Sequence, residues 1–297
     1  KILLFLFVSI SYSQQSVVVQ IGNDIDGEAG CISYCQYEPG DHSGHSVSIS
    51  SDGNIVAIGA PYNSGALGLP DGYYSGHVRV FKNIDGNWVQ LGNDIDGERR
   101  DNLGYSVSLS SDGTIVAIGA PQTYLNLTPG AGFVGVPGYV SVYQYNGEDW
   151  IQLGSDLPGG APSDQFGHSV SISSDGNIIA IGAPNDGSVI DDDYSYVSIY
   201  EYNGDNWLQK GSDIISGVSD DLAGYSVSLS SDGTIVAIGA PNHYSVQNSG
   251  HVSIYQYSGT NWLQLGGDIE GEHEYERSGT SVSLSSDGTV VAIGARN

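Results

Sequence analysis

Apolar and slim polar positions alternate in a short pattern that returns five times along the chain. In the copy beginning at His168, Ser169-Val170-Ser171-Ile172-Ser173 sets serine against β-branched residues with a period of two. That period predicts a strand with one apolar face and one slim face, suited to a crowded position. Ser174-Asp175-Gly176-Asn177 follows, and its central Asp-Gly predicts a two-residue type I′ hairpin with positive φ at both central residues. Ile178-Ile179-Ala180-Ile181-Gly182-Ala183 is apolar at both parities, the pattern of a strand covered on both faces, and Pro184 ends it by removing a ladder donor. A variable stretch leads to the aromatic strand Tyr196 to Tyr202, Asn203-Gly204 reverses the chain, and Trp207-Leu208-Gln209-Lys210-Gly211 predicts a fourth strand.

The turn aspartates of the five copies are Asp52, Asp112, Asp175, Asp232 and Asp287, a period of about 60 residues. A four-stranded sheet with inner strands apolar on both faces needs another sheet on each side. Radial repetition around an axis supplies those neighbours and leaves only short edges. The expected fold is all-β, a β-propeller of four-stranded antiparallel blades. Counting strands, with Val17 to Gly22 as a fourth strand lacking tryptophan, gives about five blades. They read as a fragment of a larger ring, because the chain contains no methionine and stops inside a repeat at Asn297.

The chain opens with Lys1, the apolar run Ile2 to Val8 and the small-residue exit Ser9 to Ser13. This is the order of a secretory signal peptide, so residues 1–13 are expected to be a leader and 14–297 the propeller. The expected location is outside the cytoplasm, secreted or at the cell surface. No later segment approaches the roughly 18 to 20 apolar residues of a membrane-spanning helix, so no membrane insertion is expected. Eight basic against 34 acidic side chains give a net charge of −26, which repels phosphate backbones and sets nucleic-acid binding aside.

Phe166-Gly167, followed after the hairpin by Gly182-Ala183-Pro184, spells an FG-GAP motif. Gly-Ala-Pro recurs at Gly59-Ala60-Pro61, Gly119-Ala120-Pro121 and Gly239-Ala240-Pro241, and becomes Gly294-Ala295-Arg296 in the last copy. From about residue 17 the chain resembles a run of FG-GAP repeats, similar to the propeller of integrin alpha subunits and its secreted bacterial relatives. The resemblance implies a binding and adhesion platform, usually of seven blades, with calcium loops between the first two strands of several blades. Here that place holds a tight Ser-Ser-Asp-Gly turn. One carboxylate cannot supply the six or more oxygens calcium takes, so the family's calcium site does not carry over to the turn aspartates.

Two further acidic copies, Asn23-Asp24-Ile25-Asp26-Gly27-Glu28 and Asn93-Asp94-Ile95-Asp96-Gly97-Glu98, each look like half a calcium loop. Asp24, Asp26, Asp94 and Asp96 are therefore the candidate metal ligands, with calcium as the ion left open and no cofactor required. The aspartate common to all copies (Asp24, Asp94, Asp156, Asp213, Asp268) reads instead as an Asx-type backbone acceptor. Cys31 and Cys35, close together in an exported chain, are expected to form a disulfide. With His42 and His45 they also make a poorly spaced zinc-like set.

The histidines exchange with other residues between copies. His45 and His168 stand where Tyr105, Tyr225 and Thr280 do, and His77 and His251 where Tyr139 and Tyr196 do. This exchange reads as ring packing rather than proton transfer or metal ligation. No nucleophile elbow, phosphate-binding glycine loop or zinc-protease helix is present, and the chain is expected not to be an enzyme. The segments after the second strands, Tyr62 to Ser75, Gln122 to Gly138, Asn185 to Tyr194 and Asn242 to Ser249, differ between copies and would gather on one rim. The expected function is a binding or adhesion scaffold that presents those loops to a protein or glycan. An extracellular carbohydrate-active enzyme and a structural spacer are the alternatives, and the oligomeric state is left open.

Overall fold

A computed structural model describes residues 20–28, 40–63, 74–121, 136–161, 164–184, 195–216, 220–242 and 249–296. The leader, Cys31, Cys35 and most of the four variable connections lie outside the described residues. The described chain is a β-propeller: four full blades and the first two strands of a fifth. First strands are Ser46–Ile49, Ser106–Leu109, Ser169–Ile172, Ser226–Leu229 and Ser281–Leu284. Second strands are Ile55–Ala60, Ile115–Ala120, Ile178–Ala183, Ile235–Ala240 and Val291–Gly294. Third strands are His77–Ile84, Tyr139–Tyr145, Tyr196–Tyr202 and His251–Tyr257.

The fourth strand differs from the continuous one expected, because it comes in two pieces. In the third blade Trp207–Gln209 and Ile214–Ile215 both pair with the third strand. Between them the chain bulges at Gly211, whose φ is +80°. An extra residue on one strand breaks the ladder and re-aims the side chains beside it, which puts Asp213 of that blade, and its counterpart in every other, on the sheet edge facing the loop rim.

First strands of successive blades pack on one another and line the axis. Their serines show why slim residues are needed there. Ser106 Oγ donates to the Gly167 carbonyl of the next blade at 2.7 Å. Ser108 Oγ accepts the Ile172 N–H at 3.1 Å. Second strands alternate between two cores, as their double-sided apolar pattern predicts. Val116, Ile118 and Ala120 pack toward the first blade, with Val78, Val80 and Trp150. Ile115 and Ala117 pack toward the third, with Phe166, Val170 and Trp207. Each valine or isoleucine among them contributes roughly 1.5–3 kcal/mol when fully buried.

The turn between the first two strands departs from expectation. Gly53, Gly113, Gly176, Gly233 and Gly288 have positive φ, while none of the five turn aspartates does. The turn is wider than type I′. Gly176 N–H donates to Ser173 O at 3.0 Å, and the Asp175 carboxylate accepts from Ser173 Oγ and Asn177 N at 2.6 and 3.0 Å. The carboxylate bridges the loop from outside, so aspartate keeps an ordinary backbone and glycine alone takes the left-handed position.

At the first blade, Val47 is 64 % exposed and Ile49 61 %, where Val107 and Leu109 are 9 % and 8 %. No described sheet covers that face, so the described blades form an open arc.

Candidate functional site

Third strands begin, and fourth strands bulge, at the rim that carries the variable connections. Each blade builds a repeated polar unit there. In the second, Asp156 Oδ1 accepts from Ser141 Oγ at 2.5 Å and Gln152 Nε2 at 2.6 Å. Asp213 does the same for Ser198 and Gln209, and Asp268 for Ser253 and Gln264. In these three blades the aspartate is a side-chain acceptor tying the third strand to the fourth, and Asp24 and Asp94 likewise accept from the side chains Gln20 and Gln90, so the backbone Asx role expected for this aspartate is corrected. The bulge is the reason, since it turns the carboxylate onto the sheet rather than toward its own N–H groups.

A second aspartate, three residues before the glycine that precedes the first strand in the first four blades (Glu276 in the fifth), was not singled out from sequence. Asp101 accepts from Tyr139 Oη at 2.5 Å, and Asp164 from Tyr196 Oη at 2.7 Å. Burial raises the Asp101 carboxyl despite that bond, and burial with the adjacent aspartate pushes both phenols well above their ordinary value. Along the same rim the blades leave open grooves. One of about 370 Å³ is lined by Tyr196, Ser198 and Asp213, and one of about 250 Å³ by His251, Ser253 and Asp268.

The first blade breaks the unit. His77 replaces tyrosine, Arg79 replaces serine, and Glu28 arrives from the preceding segment. His77 is 1 % exposed, and its Nδ1 lies 3.9 Å from both Glu28 Oε2 and Asp94 Oδ2. Gln90 Nε2 occupies the other Asp94 oxygen at 2.6 Å, Asn63 Nδ2 donates to Glu28 Oε2 at 3.3 Å, and Glu28 N–H is held by Asp41 at 2.6 Å. Arg79 Nη2 donates to the Asp26 carbonyl at 2.8 Å, tying the 20–28 segment to the blade. Burial holds the His77 imidazole below its ordinary value against the pull of Asp94 and Glu28, which keeps it neutral with a lone pair to offer. Burial and the neighbouring Asp94 raise the Asp96 carboxyl.

The two acidic copies therefore meet, each supplying one carboxylate. Of the four aspartates expected as ligands, Asp94 belongs to the described group of converging ligand atoms, together with Glu28 and His77. Asp96 pairs across the ladder with His77, and Asp24 accepts from Gln20 at 2.9 Å. Sequence reading missed His77 and Glu28. Exchange with tyrosine between blades suggested that any ring serves, yet an imidazole is shorter than a phenol and leaves its polar end among the carboxylates. The signal lay one position along the face, where Arg79 stands in place of Ser141, Ser198 and Ser253.

Closer to the axis, the exchanged His and Tyr residues form a ladder. Ring centroids lie 4.7 Å apart for His45 and Tyr105, 5.0 Å for Tyr105 and His168, and 4.6 Å for His168 and Tyr225. Tyr62 and Tyr74, 4.9 Å apart, extend it toward the first variable connection. The expectation of ring packing with a polar tip describes these positions well, and Tyr105 Oη meets His168 Nε2 at 3.3 Å.

Residues 158–200 match the FG-GAP repeat. No curated protein matches the sequence. Among solved structures, the periplasmic gluconolactonase PpgL of Pseudomonas aeruginosa aligns with a TM-score of 0.55 and 17% identity, over 84% of this chain and 64% of that one. The chain thus spans less than two thirds of that structure's length, and at this identity the likeness concerns the fold. It corrects the expectation that the chain is not an enzyme: a propeller of this shape is the scaffold of a named lactonase, and regular blades are no argument against catalysis. With the motif matched over one blade and the same architecture in the others, the chain is a β-propeller that carries an FG-GAP repeat.

Proposed function

We propose that this chain is an exported binding propeller that recognises a protein or glycan on the rim carrying its variable connections. The observation that supports this reading is the ring ladder from Tyr74 and Tyr62 through His45, Tyr105 and His168 to Tyr225. It combines apolar faces with polar tips beside segments that differ from blade to blade. Such rings suit carbohydrate and peptide surfaces alike, and variable loops on a rigid scaffold suit specificity. The acidic balance and the leader-like start support action outside the cytoplasm. Glycan and protein arrays probed with the purified chain, in parallel with a Tyr62→Ala/Tyr74→Ala variant, test the proposal. Selective capture that the variant loses supports it, and an array without a specific signal argues for a spacer.

A second reading, an exported enzyme acting on sugars or their lactones, is favoured by one observation. Among the described residues, the first blade alone joins a histidine to an arginine and two carboxylates, where the second and third blades carry tyrosine with serine and the fourth His251 with Ser253. Turnover of sugar lactones that is lost on His77→Tyr and kept in the Tyr62→Ala/Tyr74→Ala variant would select this reading over the first.

A further inference from the structure

We propose that Glu28, His77 and Asp94 form a binding site for a divalent transition ion of the zinc class. Three observations converge on it. Their ligand atoms all lie within 4.8 Å of one another. The imidazole is 1 % exposed, and its Nδ1 faces both carboxylates at 3.9 Å. Its other nitrogen, Nε2, lacks a hydrogen-bond partner among the described residues. An ion at Nδ1 would give this buried imidazole a polar partner.

The geometry fits such an ion with little movement. A tetrahedral ion with bonds of about 2.0–2.2 Å has ligand edges of roughly 3.4 Å. The 3.9 Å separations therefore close by about half an ångström, and the carboxylate–carboxylate separation, within 4.8 Å, by up to about 1.4 Å, within the reach of Glu28, which is 48 % exposed. Asp94 presents Oδ2 because Gln90 holds Oδ1, a positioning contact of the kind that orients metal ligands. The carboxylates Glu28, Asp94 and Asp96 outnumber the one guanidinium nearby, Arg79, leaving negative charge for a cation to neutralise. Calcium fits less well, since it takes six to eight oxygens while this set offers an imidazole and two carboxylates, the donors of zinc and its neighbours. Three protein ligands leave a coordination position for water or for an oxygen of a bound molecule.

The test is titration of the full chain with Zn²⁺ and with Co²⁺, followed by calorimetry and by the visible spectrum of the cobalt form. The proposal expects one saturable site, weakened at least tenfold by Glu28→Gln and abolished by His77→Tyr. Tyrosine is the residue of the second and third blades, at Tyr139 and Tyr196, so this variant is expected to keep its circular dichroism and melting temperature. Cys31→Ser/Cys35→Ser is expected to bind as before. No saturable binding, or binding that survives His77→Tyr and disappears in the cysteine variant, overturns the proposal. The readout is independent of any partner or turnover, so failure of the binding-propeller reading leaves this result standing.

Discussion

Gly119 in the second blade meets Gly167 in the third so closely that a β-carbon at Gly119 would lie 2.0 Å from the Gly167 carbonyl oxygen. The two halves of the motif thus belong to different blades: the glycine of Gly-Ala-Pro in one receives the glycine of Phe-Gly in the next. The obstructing atom is backbone, which Ser106 Oγ further pins through its 2.7 Å bond to the same carbonyl. Gly119→Ala should destabilise the protein by at least about 3 kcal/mol, beyond an ordinary overpacked core. Urea denaturation measures it, and a loss under 1 kcal/mol would mean that the blades can slide apart.

Away from the axis, adjacent blades are joined by tryptophan. Trp207 Nε1–H donates to the Leu153 carbonyl of the preceding blade at 2.8 Å, and Trp150 and Trp262 make the same bond to Leu91 and Lys210. Trp207→Phe keeps most of the ring and removes the donor. The expected cost is about 1–3 kcal/mol, because the carbonyl is left without its partner, with the second and third blades loosened relative to the rest. Hydrogen exchange across those two blades locates the effect.

His168 predicts a pH dependence. Burial lowers its pKa from the ordinary 6.5 to about 4, outweighing the contact with the Tyr225 carbonyl. The unfolded chain therefore binds a proton that the folded chain refuses between those values. Stability is fully present above about pH 6.5 and is lost as the pH falls toward 4, by an amount of the order of 3 kcal/mol. His168→Tyr, which installs the residue found at Tyr105 and Tyr225, should flatten that part of the profile. An unchanged slope in the variant would show that His168 takes up its proton equally in the folded and unfolded chains.

The turn aspartates act at lower pH. Hydrogen bonds from Ser50, Asn54 and the Asn54 N–H hold Asp52 down at about 2, and the equivalent bonds from Ser285 and Thr289 do so for Asp287. Ser230 and Thr234 lower Asp232 in the same way. A depressed folded pKa contributes stability above the unfolded value, near about 3.9, that is lost as the pH drops through the folded one. Melting temperatures should fall between about pH 4 and 2, and less steeply in Asp232→Asn, where the acceptor oxygen remains and the charge does not. Equal slopes would remove the carboxylates from the explanation.

The site was half legible. Asp94 stood out in its acidic copy because carboxylates at alternate positions suggest a cation. Glu28 and His77 did not, because they lie 49 residues apart in numbering and only the bulge beside Asp94 and the docking of residues 20–28 bring them together. Likewise, the buried pairs Asp101 with Tyr139 and Asp164 with Tyr196 join positions 38 and 32 residues apart.

By itself the sequence determined what is local or repeated: strand periodicity, glycine and asparagine turns, and the need of each sheet for neighbours. These follow from side-chain alternation and backbone sterics, which act over a few residues and are copied blade after blade. Only the tertiary structure decided which polar groups face one another between blades. A hydrogen bond or ligand set depends on distances of a few tenths of an ångström between segments far apart in the chain. One bulge at Gly92 and one imidazole in place of a phenol are enough to change it.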